Sequence, residues 1–129
     1  MNAERGTSPY GYGLHHVQLA IRPGGEDAAR AFYVGVLGMT EVAKPAGLAG
    51  RGGLWLRTDA VELHLGVEPD HMPSAKAHPG LLVADLDALA AALAAAGHPV
   101  AWDADFPGYR RCYTRDPFGN RLEFLTPVL

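Results

Sequence analysis

The sequence holds a single cysteine, Cys112, in 129 residues. No intrachain disulfide can form, and one chain offers no site built from several thiolates, which makes a reducing cytoplasm the expected setting. No stretch approaches the roughly 18 apolar residues of a membrane-spanning helix. The start, Met1 to Tyr10, is polar and lacks the apolar centre of a signal peptide. Neither membrane insertion nor export is indicated. Charge is sparse too: 11 Lys and Arg stand against 14 Asp and Glu, giving a formal net charge of -3. A chain with its basic residues scattered has no stripe for a phosphate backbone or an anionic bilayer, so neither nucleic acid nor membrane is an expected partner. What is present is a globular composition, 48% hydrophobic and 19% charged, of one domain's length. Six histidines are the feature that bears on chemistry, imidazole being the commonest metal ligand.

Val17, Leu19 and Ile21 alternate with His16, Gln18 and Ala20, the period of a half-buried strand over Leu14 to Ile21. Arg22-Pro23-Gly24-Gly25 ends it. Glu26 and Asp27 then place acids in the first turn of a helix expected to reach about Leu37, with Ala29, Phe32 and Val36 as its buried stripe and Gly38 as its left-handed cap. Strand-like runs follow at about 40–43, 54–57 and 61–66, separated by Gly- and Pro-bearing turns. Beyond a loop at 67–77 the order repeats. A strand at 78–83 leads to a helix opened by Asp85-Leu86-Asp87, with Leu86, Leu89 and Leu93 on its apolar face and Gly97 as its cap. Strands at 100–102, 111–114 and 121–126 complete the set, the last two joined by a turn, Asp116-Pro117-Phe118-Gly119-Asn120. The chain reads as one α+β domain over 1–129, made of two βαβββ modules at about 14–66 and 78–127.

Four segments carry a family resemblance in this order: Leu14-His15-His16-Val17, Phe32-Tyr33 followed by Leu37-Gly38, His78 heading a strand into Val83-Ala84-Asp85-Leu86, and Asp116-Pro117-Phe118-Gly119-Asn120-Arg121-Leu122-Glu123. Together they resemble the vicinal-oxygen-chelate superfamily of glyoxalases, bleomycin-resistance proteins and extradiol dioxygenases. The resemblance implies a cup-shaped mixed sheet enclosing a site for one divalent metal. It also implies ligands on the first and last strands of each module, here His16 with Glu62 or His64, then His78 and Glu123. Alternation agrees for His16, Glu62, His64 and Glu123, each of which falls opposite the apolar set of its own strand, while Pro79 after His78 could shift the start of that strand. Nitrogen and oxygen donors at an open site suit Zn, Ni, Mn, Fe or Co without choosing among them.

Glu62 and His64 share a face, and two internal rulers disagree about them. His16 to Glu62 is 46 positions and His78 to Glu123 is 45, which favours Glu62. Gly38 to His64 and Gly97 to Glu123 are both 26, which favours His64. Loops vary more between repeats than elements do, so His64 is taken as the metal ligand and Glu62 as a base or orienting group, with Glu123 a further catalytic candidate. His15, of opposite parity, reads as packing or surface. Trp55, Trp102, Phe106 and Tyr109 are aromatic candidates for contacting substrate, and of Arg110 and Arg111 one must face the cup, where its fork could hold a carboxylate or phosphate. Cys112 reads as buried.

In the family such a metal serves glyoxalase-type isomerisation, epimerisation, thiol addition to epoxides and catechol ring cleavage. Two modules argue against the last, which usually takes four. The resemblance therefore implies a metal-dependent lyase or isomerase for a small oxygen-rich molecule. The alternative is a metal-free, ligand-sequestering binding protein. Open sheet edges are a physical reason to expect a homodimer that completes or covers the cup.

Overall fold

The computed structural model describes residues 5–129, so part of the polar start read from Met1 lies outside the described residues. Two four-stranded mixed sheets form from two copies of one element order. In the first, β1 (Val17–Ile21), β2 (Glu41–Val42), β3 (Leu54–Thr58) and β4 (Val61–Val67) lie in the spatial order β1-β4-β3-β2. In the second, β5 (Gly80–Leu82), β6 (Ala101–Asp103), β7 (Tyr109–Arg115) and β8 (Arg121–Pro127) repeat it as β5-β8-β7-β6. The first and last strands of each module are parallel and the other pairs antiparallel. Among the described residues no helix is long and apolar enough to cross a membrane.

Each sheet turns one face to the helices. Leu54, Leu56, Leu63, Leu65 and Ile21 are buried on the first, Leu81, Cys112, Leu122 and Phe124 on the second, and all join one apolar cluster. The opposite face of each sheet carries the polar set. The parity read from the sequence thus holds on β1, β4 and β8, because side-chain direction in a strand alternates with period two. Cys112 is fully buried, and desolvation raises its thiol pKa.

The helices depart from expectation in detail. Helix α1 begins as an α turn at Glu26–Ala29 and continues as a π-helical segment, Arg30–Val36, with Leu37 N–H donating to the Phe32 carbonyl five residues back. The wide turn places the consecutive Phe32 and Tyr33 both in the core, whereas a regular helix would have given the stripe Ala29, Phe32 and Val36. Val36 is only half-buried. A short α2 (Ala46–Ala49) stands where the sequence suggested a turn, and α3 (Leu86–Ala95) is capped by Asp85, whose carboxylate accepts from Ala88 N–H. Gly38 and Gly97 have φ of 72° and 84° and end their helices as expected. The β3–β4 hairpin turns on Asp59-Ala60 without glycine, Asp59 taking φ 50°.

The two modules are tied through Asp116, a buried carboxylate. Its Oδ1 accepts from the backbone N–H groups of Phe118 and Asn120 at 2.9 and 2.8 Å; its Oδ2 accepts from Tyr33 Oη at 2.6 Å and Asn120 Nδ2 at 2.8 Å. Asn120 Nδ2 also donates to the Ala20 carbonyl on β1 at 2.7 Å. The turn predicted from residue chemistry is therefore also the clamp between modules.

Removing the Tyr33 hydroxyl leaves a buried carboxylate one donor short, which costs about 1–3 kcal/mol. Tyr33→Phe should lower the urea midpoint accordingly while keeping the slope m. Burial, with the Asp116 charge beside it, holds the Tyr33 pKa well above its ordinary value. In the unfolded chain this phenol ionises near about pH 10, so above that pH the unfolded state binds fewer protons and stability falls as pH rises. Comparing unfolding of both proteins at neutral and strongly alkaline pH checks this, since the substitution should flatten the alkaline loss; an equal loss in both rejects the assignment.

Candidate functional site

On the polar face of the first sheet, cross-strand register sets Trp55 beside His64 and Arg57 beside Glu62, with Gln18 of β1 against His64 from the other side. The rings of Trp55 and His64 lie parallel, centroids 3.9 Å apart and 2° between planes. His16, just before β1, covers the other face of His64 at 3.9 Å and 20°. The His64 ring is thus buried between two others. Its Nε2 donates to Glu62 Oε2 at 2.7 Å, and Glu62 Oε1 accepts from Arg57 Nε at 2.8 Å. With both oxygens engaged, first by Arg57 and then by His64, the Glu62 pKa is lowered to about 2. Glu62 therefore sits as the group that fixes His64, leaving Nδ1 as the ring's free nitrogen.

The second sheet presents a matching carboxylate and imidazole. Glu123 is buried on β8 opposite Tyr113 and Gly80, and the missing side chain of Gly80 leaves room: a Cβ there would stand 3.1 Å from Glu123 Oε1. Through that gap Oε1 reaches His78 Nε2 at 3.1 Å. His78 Nδ1 lies 2.8 Å from the Lys76 carbonyl, which only accepts, so Nδ1 carries the proton. In a neutral ring the lone pair of Nε2 then faces a carboxylate oxygen. That arrangement calls for positive charge between them, either a second ring proton or a cation. His78 precedes β5 instead of opening it, because Pro79 has no N–H for the ladder.

Arg111 binds the other oxygen of Glu123, Nη1 to Oε2 at 3.0 Å, and also holds Asp103 Oδ1 through Nη2 at 3.0 Å. The hydrogen bond to Glu123 leads in raising the Arg111 pKa, and the Asp105 backbone N–H, ahead of Arg111, lowers that of Asp103. Of the two arginines, then, Arg111 takes the polar face, already occupied by carboxylates. Arg110 projects from the helix-packed side, bonding Asp87 at 3.0 Å and lying over Trp102. It is not brought to the polar face. Tyr109 shares the parity of Arg111 but packs on Phe106 at the strand's far end.

The structure thus brings His16, Glu62, His64 and Trp55 together on one sheet and His78, Glu123 and Arg111 on the other. The donors have the chemistry a divalent metal takes, and the His78–Glu123 pair fits a cation. Yet among the described residues no group of three or more His, Cys, Asp or Glu could hold a metal ion. Each sheet supplies a partial shell, short of the three or four protein ligands usual for such a site. Two histidines carry more than the sequence suggested. His15 Nδ1 stands 2.9 Å from His16 Nδ1 and the two rings meet edge to face at 5.1 Å, so the doublet packs as a pair. His71, in the linker, has its side chain only 5% exposed, Nδ1 3.4 Å from Glu68 Oε2, and it lines a pocket with His78. A strand period cannot register a linker residue.

The same strand order and paired modules recur in known structures. A glyoxalase family protein from Bacillus anthracis is 40% identical, with 95% of this chain and 100% of that one covered and a TM-score of 0.89. An antibiotic-binding protein from a Streptomyces species is 24% identical over 92% of this chain and 100% of its own, at a TM-score of 0.69. A mutant of the fosfomycin resistance protein FosX from Listeria monocytogenes, complexed with Mn(II) and a dihydroxypropylphosphonic acid, is 15% identical over 91% and 93%, at 0.74. No curated protein matches the sequence. The family model of the Glyoxalase/Bleomycin resistance protein/Dioxygenase superfamily matches residues 13–124, and with that span, the repeated βαβββ order and the paired carboxylate–imidazole faces, the chain belongs to this superfamily.

Proposed function

We propose that the protein is a metal-dependent enzyme of the glyoxalase type, a lyase or isomerase for a small oxygen-rich substrate, with His16, His64, His78 and Glu123 as metal ligands. The observation that carries this reading is the His78–Glu123 pair, where a proton-bearing Nδ1 turns the opposite nitrogen's lone pair toward a carboxylate oxygen 3.1 Å away. Mn(II) in the FosX complex supports a metal in a protein of this fold. Since one chain splits the donors between two sheets, the complete shell in this reading forms in a homodimer, the first sheet of one protomer facing the second sheet of its partner.

A bound divalent cation supplies a Lewis acid toward adjacent substrate oxygens. The chain's own residues do the rest. Glu62, ionised and held by Arg57, keeps the His64 ring in register; its low pKa makes it a weak proton acceptor near neutral pH. Glu123 is the remaining catalytic carboxylate, and it would exchange a proton with substrate through an oxygen released by His78 or Arg111, which hold Oε1 and Oε2 respectively. A ligand-sequestering protein without metal is the second reading, favoured by the stacked Trp55, His64 and His16 rings and by the antibiotic-binding relative of this fold.

Protein purified without chelator should carry one divalent cation per chain. His78→Ala and Glu123→Ala should each lose it, with a fall in melting temperature, because metal bound only by the folded state stabilises that state. Full metal content in both variants rejects the ligand assignment, while metal-free wild type that still binds small molecules favours the second reading.

The division of labour on β4 is separable. His64→Ala should release the metal, whereas Glu62→Gln should keep it at reduced affinity, about 10–100-fold weaker as for other groups that orient a ligand. The opposite order would make Glu62 the ligand.

A dimeric site can be rebuilt by mixing. A His16→Ala/His64→Ala protein and a His78→Ala/Glu123→Ala protein, co-expressed with separate tags and purified as a heterodimer, should recover one metal per dimer. Recovery of none, or a monomeric wild type by light scattering, removes the shared shell.

A further inference from the structure

The first sheet's polar face opens into a pocket of about 480 Å³ whose lining includes His16, Gln18, Lys44, Arg51, Trp55 and His64. Among the described residues no Asp or Glu lines it, and each ionisable side chain that does is basic. That is a local reversal in a chain whose net charge is -3. Arg30, Arg57, Arg110 and Arg111 each face a carboxylate. Arg51 is exposed and makes no ion pair among the described residues.

Backbone geometry places both cations. Arg51 precedes Gly52-Gly53, both at positive φ, 73° and 80°; a Cβ on Gly53 would fall 2.0 Å from the Leu65 carbonyl oxygen, so only glycine permits the turn. Half-buried Lys44 donates from Nζ to the Gly52 carbonyl, which holds the ammonium against the turn and leaves two of its donors unused. The Glu26 carboxylate sits behind the same turn without lining the pocket; its Oε2 accepts from Gly53 N–H at 2.8 Å, the leading cause of its lowered pKa, and the Lys44 charge adds a smaller share. The same pocket is lined by Trp55, half-buried and backed by the parallel His64 ring, a flat wall.

We propose that this pocket takes the anionic end of the substrate, a carboxylate or phosphoryl-type group held by Lys44 and Arg51, with a planar part of the molecule against Trp55. The inference rests on reading this face as part of the active site, and it adds the substrate's charge and shape. Charge-assisted bonds from an unpaired guanidinium and a pre-positioned ammonium give such a pocket selectivity for anions over neutral molecules of equal size.

Trp55 reports on its own pocket once Trp102, the only other tryptophan, is replaced. In a Trp102→Phe background, chelator-treated protein is titrated with phenyl phosphate, benzoate and the uncharged benzyl alcohol while indole fluorescence is followed. At least one anion should give a saturable change, with benzyl alcohol about tenfold weaker or more, and Arg51→Ala should weaken the anion by about tenfold, the scale of one hydrogen bond to a charged group. Lys44→Met should act in the same direction, and Arg51→Lys should recover part of the loss. Preference between the two anions assigns the group. Equal binding of benzyl alcohol, no saturable binding of either anion, or unchanged anion affinity in Arg51→Ala and Lys44→Met overturns the proposal. Because the titration is metal-free, loss of the metal reading leaves it untouched, and unchanged metal content in Arg51→Ala separates anion recognition from metal binding.

Discussion

The Asp116 carboxylate is the point on which the arrangement depends. Four donors fill its two oxygens, and they come from the first helix, from its own turn and from Asn120. A buried carboxylate with this many partners is stable only while all of them stay, since an ionised group left short inside a protein is costly. Asn120 carries the constraint onward to the Ala20 carbonyl of β1. One hydrogen-bond cluster thereby positions the strand that follows His16 and the strand that carries Glu123. Residues well separated in sequence share a frame because each lies a few positions from this clamp.

With the modules locked, the remaining degrees of freedom lie on the polar faces, where both sheets reach the same solution. An imidazole is fixed by a carboxylate, and the carboxylate's other oxygen is held by an arginine: His64, Glu62 and Arg57 on one sheet, His78, Glu123 and Arg111 on the other. Carboxylate and guanidinium offset each other's charge, so neither sheet carries an unpaired buried ion. The two triads differ in proton placement. His64 presents Nε2 to Glu62 with Nδ1 free. His78 has Nδ1 committed to a carbonyl and directs Nε2 at Glu123, an arrangement completed by a second ring proton or by a cation.

Much of this was legible in the sequence, and the reason is parity. A strand's period of two assigns faces unambiguously, so the polar faces of β4 and β8 could be read from Val61 to Gly66 and Arg121 to Thr126, the turn from Asp116 to Asn120, and the modular repeat from the order of elements along the whole chain. What the pattern could not supply was partner choice. Arg111 has the expected direction, yet Asp103 and Glu123 occupy it, and only the β6–β7 and β7–β8 registers bring those acids within reach. The π-helical segment was invisible for a similar reason: Phe32 and Tyr33 are both large and apolar, and a regular helical count buries one of them at the expense of the other.

The position of His16 divides the first-sheet cluster into two unlike halves. It is exposed, at the head of β1, and its ring is held on His64 only from one side. Aromatic stacking is worth about 0.5–1.5 kcal/mol beyond burial, too little to fix an exposed ring against solvent, whereas His64 has two stacked neighbours and an ionised carboxylate. The rigid half of the first-sheet constellation is therefore His64 with Glu62, and the adaptable half is the His15–His16 doublet. A partner surface or ligand arriving over this face would act on the doublet first.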